Sequence, residues 1–363
     1  MSHKKKKIAL IGYRLSGGGS DKVMANLSVF FERQGFEVDI IIVLDEVSFP
    51  YSGKLVNLGL LKNKSNGFFN KAKRLWALRN YLIDNKFDFI IDFRFRTKVL
   101  QELILARYIY NTQTIFTVHS FLIDHYMPNN SWLTRLMYNH CLANVAITAE
   151  MKTLIENKHQ LQNVVTIHNP VYLEEILEKQ KENIKIGFDF IVAVGQYENE
   201  IKQFDKLISS YAKSNLPQKQ IHLIIVGDGN GIKLRKIAVE NDIEEFVHLV
   251  GYQTNPFQFM VKAKFLVLCS KNEGLPNVIL ESLACKTPVV SFDCDFGPRD
   301  MISNLENGVL VENQNWEKLT EAMNLLVSDE ILYQHCKENA LESIQPFLLE
   351  KIGQEWLHLL KAN

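Results

Sequence analysis

Two glutamates eight residues apart, Glu273 and Glu281, carry the strongest chemical signal in the chain. They lie in the run Ser270-Lys271-Asn272-Glu273-Gly274-Leu275-Pro276-Asn277-Val278-Ile279-Leu280-Glu281, directly after an apolar stretch that reads as a strand. Pro276 suits the first turn of a helix, because that position needs no amide donor. Glu273 is then expected in the loop at the strand end, with Glu281 on the helix about one and a half turns in. Gly274 lets the backbone approach a ligand closely, and the free amides of a helix start favour a diphosphate. Ionised carboxylates accept hydrogen bonds from the hydroxyls of a sugar or a ribose. Spacing alone would equally fit two solvated glutamates. The informative feature is the order: strand, Glu-Gly-x-Pro turn, helix with the second Glu, then Pro288-Val289-Val290.

The elements that must position these residues follow from periodicity. Lys6 to Gly12 reads as a buried strand, continuous and apolar. A glycine-rich turn, Ser16-Gly17-Gly18-Gly19-Ser20, leads into a helix to about Arg33, closed by Gln34-Gly35. Val38 to Leu44 is the next strand, which completes a βαβ unit and predicts a parallel sheet. Helices near 69–83 and 97–107 alternate with strands at Phe87 to Ile91 and Thr114 to Val118. The pattern restarts at Phe190 to Val194 and continues through a helix at Phe204 to Ala212 and a strand at Ile221 to Val226. A helix near 230–240, a short strand at His248 to Val250 and strands at Phe265 to Cys269 and Pro288 to Phe292 complete it. The expectation is an α/β protein of two Rossmann-like, doubly wound parallel-sheet domains facing a cleft. Their expected extents are 1–170 and 188–345, with a charged linker at 171–187. A last helix within 346–363, built on Phe347, Leu348, Ile352, Trp356 and Leu359, is expected to cross back to the first domain. Ligands are expected at the carboxyl ends of the strands.

These segments resemble the family-4 retaining glycosyltransferases, which have the GT-B fold. Residues 270 to 290 are similar to the family's E-x7-E signature. Gly18-Gly19-Ser20-Asp21-Lys22 resembles its GG-A-E-R loop, and His119 in Thr117-Val118-His119-Ser120 its active-site histidine. Asn169-Pro170-Val171, Val226-Gly227-Asp228-Gly229 and Val250-Gly251-Tyr252 match further landmarks. Asp293-Cys294 with Gly297-Pro298-Arg299-Asp300 resembles the D-C-x-x-G-P-x-E element of a subgroup that builds surface and lipid-linked glycans. The resemblance spans residues 8 to about 360.

The resemblance implies transfer of a hexose or N-acetylhexosamine from a UDP-sugar to a saccharide or lipid-linked saccharide, with retention and without a metal ion or other cofactor. It implies that Glu273 holds donor hydroxyls, that Glu281 holds the ribose, and that Lys202 neutralises the leaving diphosphate beside His119. The backbone at Gly18, Gly19, Gly274, Leu275 and Asn277 would line the donor. Where the family has G-R-L, Gly195-Gln196-Tyr197 supplies no arginine, so Lys202 or Arg299 must replace that charge. Read without this context, Gly18-Gly19 is a turn, Lys202 a solvated loop charge and His119 a core histidine. A 2-epimerase of the same fold, and a sugar-nucleotide-binding partner without turnover, share the pattern; Gln196 motivates the second. Asp293-Cys294-Asp295 also spells the D-x-D of a manganese site, but that goes with a one-sheet fold.

Composition narrows the setting. The formal charge of the 363 residues is zero, yet residues 1–170 carry 22 Lys/Arg against 13 Asp/Glu, and the remainder 19 against 28. A basic half attracts anionic surfaces or phosphorylated partners. The run from Phe68 to Arg79 and Phe93-Arg94-Phe95-Arg96-Thr97-Lys98 mix cations with aromatics, which suits an acceptor site or peripheral contact with an anionic membrane as well as a solvated helix face. No recognised nucleic-acid motif accompanies the charge, and no G-x-G-x-x-G opens the first helix, against a dinucleotide dehydrogenase. Cys141, Cys269, Cys285, Cys294 and Cys336 are scattered without a CxxC and read as small hydrophobes of a reducing compartment. After Met1-Ser2-His3 and four lysines, the apolar run is too short for a signal peptide or a span, so a cytoplasmic location is expected.

Overall fold

A computed structural model describes residues 5–62, 68–111, 113–198 and 200–361; the start of the basic run, Met1 to Lys4, lies outside them. The chain divides into two compact units, Met1–Pro170 with Leu349–Asn363, and Val171–Leu348.

In the first unit the strands are β1 (Lys7–Gly12), β2 (Glu37–Ile42), β3 (Lys54–Asn57), β4 (Phe89–Asp92), β5 (Thr114–Val118), β6 (Ala143–Ala146) and β7 (Val164–Thr166). They form one sheet in the order β3-β2-β1-β4-β5-β6-β7, and every pairing is parallel. Ile8, Ala9, Leu10 and Ile11 are wholly buried, as a strand covered on both faces requires. Helix Gly19–Arg33 joins β1 to β2, and Gly35 beyond it has φ 86°, a left-handed conformation that glycine adopts without a Cβ penalty. Helix Leu349–Lys361 belongs to this unit and packs on Gly19–Arg33. Its Gly353 allows the approach, since a Cβ there would lie 2.3 Å from the Phe30 ring.

The second unit has β8 (Phe190–Val194), β9 (His222–Val226), β10 (Val247–Leu249), β11 (Leu266–Leu268), β12 (Val289–Asp293) and β13 (Gly308–Glu312). Their order is β10-β9-β8-β11-β12-β13. Ile191, Ala193, Leu223, Ile225, Phe265, Val267, Val290 and Phe292 meet in its core with Leu207, Ile208 and Tyr211 of helix Phe204–Ala212. Each sheet therefore runs outward in two directions from its first strand. The direction reverses between β1 and β4 in one sheet and between β8 and β11 in the other. Such switch points leave a crevice at the carboxyl edge.

Two expectations need correction. Residues 171–187 are not a plain linker: Leu173–Lys179 is a helix with Ile176 buried, packed on helices Phe257–Met260 and Asn277–Ala284. Glu174 and Glu178 are exposed, while Glu175, its side chain 7% exposed, pairs with Lys179 at 2.7 Å; the charge masked the short apolar side. The helix expected near 97–107 is Val99–Ile104 followed by a π-helical segment, Leu105–Ile109. Strands β3, β6, β7 and β13 were not anticipated; each spans five residues or fewer.

Candidate active site

The switch point of the second sheet gathers most of the expected donor residues. Glu273 follows β11 in the turn before helix Asn277–Ala284, and Lys202 follows β8 in the loop before helix Phe204–Ala212. Lys202 Nζ donates to Glu273 Oε1 at 2.6 Å, with the two side chains only 19% and 14% exposed. The backbone holds the two loops in register. Lys271 N donates to the Ile201 carbonyl at 2.8 Å. Gln203 Nε2 donates to the Cys269 carbonyl at 3.1 Å, and the Cys269 thiol donates to the Lys202 carbonyl at 3.0 Å. Burial pushes that thiol up to about 12, so it stays protonated.

Gly195 makes room for the lysine: a Cβ there would sit 3.1 Å from Lys202 Cγ and 3.2 Å from Cδ and Cε. Gly227, at the end of β9, comes closer still, its Cβ position lying 1.7 Å from the Gly195 carbonyl oxygen. Tyr197 braces the same edge, donating from its hydroxyl to the Ile225 carbonyl at 3.1 Å and accepting from Gly251 N at 2.7 Å. Three strand ends are thereby fixed around Lys202. Gln196, where the family carries arginine, is exposed beside it.

Pro276 stands one residue ahead of the first helical turn, in extended backbone, and Glu281 is the fifth residue of helix Asn277–Ala284. Leu275 is buried, whereas Gly274 and Asn277 are partly exposed. Gly297 presses on this turn: with φ 91°, its Cβ position is 2.4 Å from the Gly274 carbonyl oxygen. Arg299, one turn on, donates to both carboxylate oxygens of Asp293, at 2.9 and 3.0 Å. The Asp293-Cys294-Asp295 run thus spends its first carboxylate on an arginine and buries its cysteine. Among the described residues no group of three His, Cys, Asp or Glu side chains could hold a metal ion.

In the first unit, Gly18 caps helix Gly19–Arg33, and a Cβ on it would lie 2.8 Å from Asp21 Oδ2. Asp21 is buried, with Arg14 Nε 3.5 Å away. Burial raises its pKa to about 7 against the lowering pull of Arg14. His119 follows β5 directly and stacks on Phe93, with centroids 5.6 Å apart. Part of the residue reaches solvent, but both ring nitrogens are shut off from it, without a partner at hydrogen-bond geometry. Burial first, then Arg96, lower its pKa to about 3 even though Asn169 favours charge on it, so the ring is neutral. Behind it Arg96 is fully enclosed. Its guanidinium lies 5.0 to 5.5 Å from the Phe116, Tyr126 and Tyr138 ring centres and donates to the Tyr126 and Thr117 carbonyls.

Sequence reasoning met Gly195, Tyr197, Gly297 and Arg96 only as members of motifs, and did not foresee the seat of Lys202, the brace of Tyr197, the contact of Gly297 with the donor turn or the cage of Arg96. Only Gly195 and Gly297 carried a local signal, as glycines after strands. A cavity of about 650 Å³ lies along Asp205, Ser210, Trp316 and Thr320, and none of the expected site residues lines it.

The family description Glycosyltransferase Family 4 matches residues 17–175, and Glycosyl transferases group 1 matches residues 174–343. A Campylobacter jejuni N-acetylgalactosamine-N,N'-diacetylbacillosaminyl-diphospho-undecaprenol 4-alpha-N-acetylgalactosaminyltransferase is 27% identical, with 98% of this chain and 99% of that one aligned. The lipopolysaccharide 1,6-galactosyltransferase of Salmonella typhimurium is 26% identical, over 91% of this chain and 92% of its own. An Anabaena protein, HepE, solved with UDP and glucose, shares the fold with a TM-score of 0.78 at 16% identity, covering 99% and 100% of the two chains. Two parallel Rossmann-like sheets with loops gathered at their carboxyl edges are the GT-B fold. The chain belongs to the family-4 glycosyltransferases.

Proposed function

We propose that this glycosyltransferase moves a hexose or N-acetylhexosamine from a UDP-sugar to a saccharide or lipid-linked saccharide in surface glycan synthesis, with retention and without a metal ion. The observation that carries the reading is the 2.6 Å Lys202–Glu273 contact at the switch point of the second sheet. Glu273 is the acceptor for donor-sugar hydroxyls, Glu281 for those of the ribose. The backbone at Gly274, Leu275 and Asn277, at the start of helix Asn277–Ala284, is the place for phosphate charge. Lys202 is the cation that meets the charge developing on the leaving diphosphate. Gln196 is uncharged, and Arg299 and Lys202 are both held by carboxylates; Lys202 is given that role because its partner is Glu273 of the donor turn itself.

The acceptor hydroxyl oxygen bonds to the anomeric carbon on the face from which the β-phosphate oxygen leaves, and its proton passes to that departing oxygen. No side chain is a covalent nucleophile; positioning and charge stabilisation supply the rate. The acceptor class is supported by the relatives, one named for a diphospho-undecaprenol-linked sugar and one for lipopolysaccharide. The donor class is supported by the UDP-bound neighbour.

No helix among the described residues is long and apolar enough to cross a membrane. Contact with the cytoplasmic face of an anionic membrane is supported by the exposed Trp76, Leu100, Tyr108 and Trp132 and the basic excess of their unit.

The reading is tested with Glu273→Gln and Lys202→Ala. UDP release from UDP-hexoses and UDP-N-acetylhexosamines, with a panel of glycan acceptors, is expected to fall about 100-fold or more with little change in melting temperature. Rates equal to the parent in either variant would sink it. Epimerised sugar nucleotide formed without an acceptor would point to the 2-epimerase instead, and UDP binding without turnover to the inactive partner.

A further inference from the structure

A buried amide ties together the loops that carry Lys202 and Glu273. Gln203 stands between Lys202 and helix Phe204–Ala212 and is 5% exposed. Its φ of 51° and ψ of 37° are left-handed, a conformation that costs any residue with a Cβ. Among the described residues eight non-glycine positions have a positive φ, and of these Gln203 alone is buried. Strain of this kind persists where the surroundings over-determine it, and it gathers at functional sites. The side chain shows what holds it. Gln203 Nε2 donates to the Cys269 carbonyl at 3.1 Å, and Gln203 Oε1 accepts from Lys206 Nζ at 3.0 Å. An ammonium only donates and a carbonyl only accepts, so an amide serves both, whereas a glutamate would face the Cys269 carbonyl without a donor. Lys206 is itself placed, its ammonium 5.6 Å from the centre of the Trp316 ring. Cys269 returns the contact through its thiol, which donates to the Lys202 carbonyl at 3.0 Å. Lys202 and Gln203 are therefore clamped to the strand end that leads into Glu273.

We propose that Gln203 is a positioning residue for sugar transfer: its amide holds the Lys202 loop against the Glu273 loop and so sets where the lysine ammonium stands relative to that carboxylate. This role rests on the donor-site roles of Lys202 and Glu273 proposed above. Stabilisation of a departing diphosphate depends steeply on distance, whereas donor binding is spread over many contacts. Loosening the clamp therefore acts on kcat before it acts on KM.

The test compares two variants of the full chain with the parent, using UDP-sugars and glycan acceptors. Gln203→Met keeps the length of the side chain without its hydrogen bonds, and Gln203→Gly removes the strain along with the amide. In both, kcat is expected to fall about tenfold, with KM for the donor within about twofold of the parent. A residue needed only for folding would behave otherwise, since glycine is at home in left-handed backbone and would keep the rate. In the Lys202→Ala background either change is expected to alter kcat by less than about twofold, because the group that Gln203 positions is gone. Parent-like kcat in Gln203→Gly, or a further loss of about tenfold in the Lys202→Ala background, would overturn the role. Hydrogen exchange keeps this apart from the donor reading. Lys271 N, which donates to the Ile201 carbonyl at 2.8 Å, is expected to exchange faster in Gln203→Met with or without substrate, and unchanged exchange would also overturn the clamp. Parent-like turnover in Lys202→Ala, with faster Lys271 exchange in Gln203→Met, would sink the donor reading and leave the clamp standing.

Discussion

Asp21 shows how a single residue near the glycine loop is balanced between opposing effects. Burial raises its pKa from 3.8 to about 7, and Arg14 at 3.5 Å pulls the other way. A carboxyl raised in the folded state favours folding at low pH, and that contribution is lost as pH rises through about 7. Asp21→Asn is therefore expected to gain stability over the parent between pH 4 and pH 8, by something on the order of 2 kcal/mol. Calorimetric melting temperatures across that range check it; a constant gap would mean that Arg14 cancels burial, and a gap that moves the other way that Arg14 outweighs it. His119 has the opposite sign. Its pKa is lowered from 6.5 to about 3, so its contribution is present above 6.5 and lost as pH falls towards 3.

At the scale of elements, the donor turn is shaped by a loop distant in sequence. Gly297 has φ 91°, and its Cβ position falls 2.4 Å from the Gly274 carbonyl oxygen and 3.0 Å from Leu275 Cα. Neither backbone atom can move without carrying the Glu273 turn with it. Gly297→Ala is expected to cost about 1–3 kcal/mol through φ strain and the clash. It should also weaken UDP binding while leaving the first sheet unaltered. Hydrogen exchange confined to residues 270–281 and 293–301 would agree; a stable protein with parent-like UDP affinity would not. Helix Asn277–Ala284 depends on this support, because its N-cap is Pro276, which makes no side-chain cap.

For the whole molecule, the last helix decides where the chain ends in the fold. Leu349–Lys361 joins the unit built by Met1–Pro170, and Trp356 is 2% exposed there. Trp356→Ala is expected to cost about 3–5 kcal/mol in that unit. Hydrogen exchange should rise over Gly19–Arg33, which Leu349–Lys361 covers, with the core of β8 to β13 protected as before. Equal loosening of both units, or none, would contradict that assignment.

The sequence by itself determined the long elements and the order of the motifs. Phe190–Val194 and Phe204–Ala212 fall where the apolar periodicity placed them, because continuous burial and a 3.6-residue repeat are local properties. Strands β3, β6, β7 and β13, and the helix hidden in charged residues 173–179, were not legible in this way. Glu273, Lys202 and Gln196 could be named from their neighbours along the chain. That Lys202 meets Glu273, 71 residues away, while Asp293 takes Arg299, was decided only by tertiary structure. The same holds for the Gln203 amide, which meets the Cys269 carbonyl 66 residues away. The physical reason is that ion pairs and hydrogen bonds between loops depend on which strand ends become neighbours in the sheet. That adjacency is set by the packing of the entire core, to which no single segment holds the key.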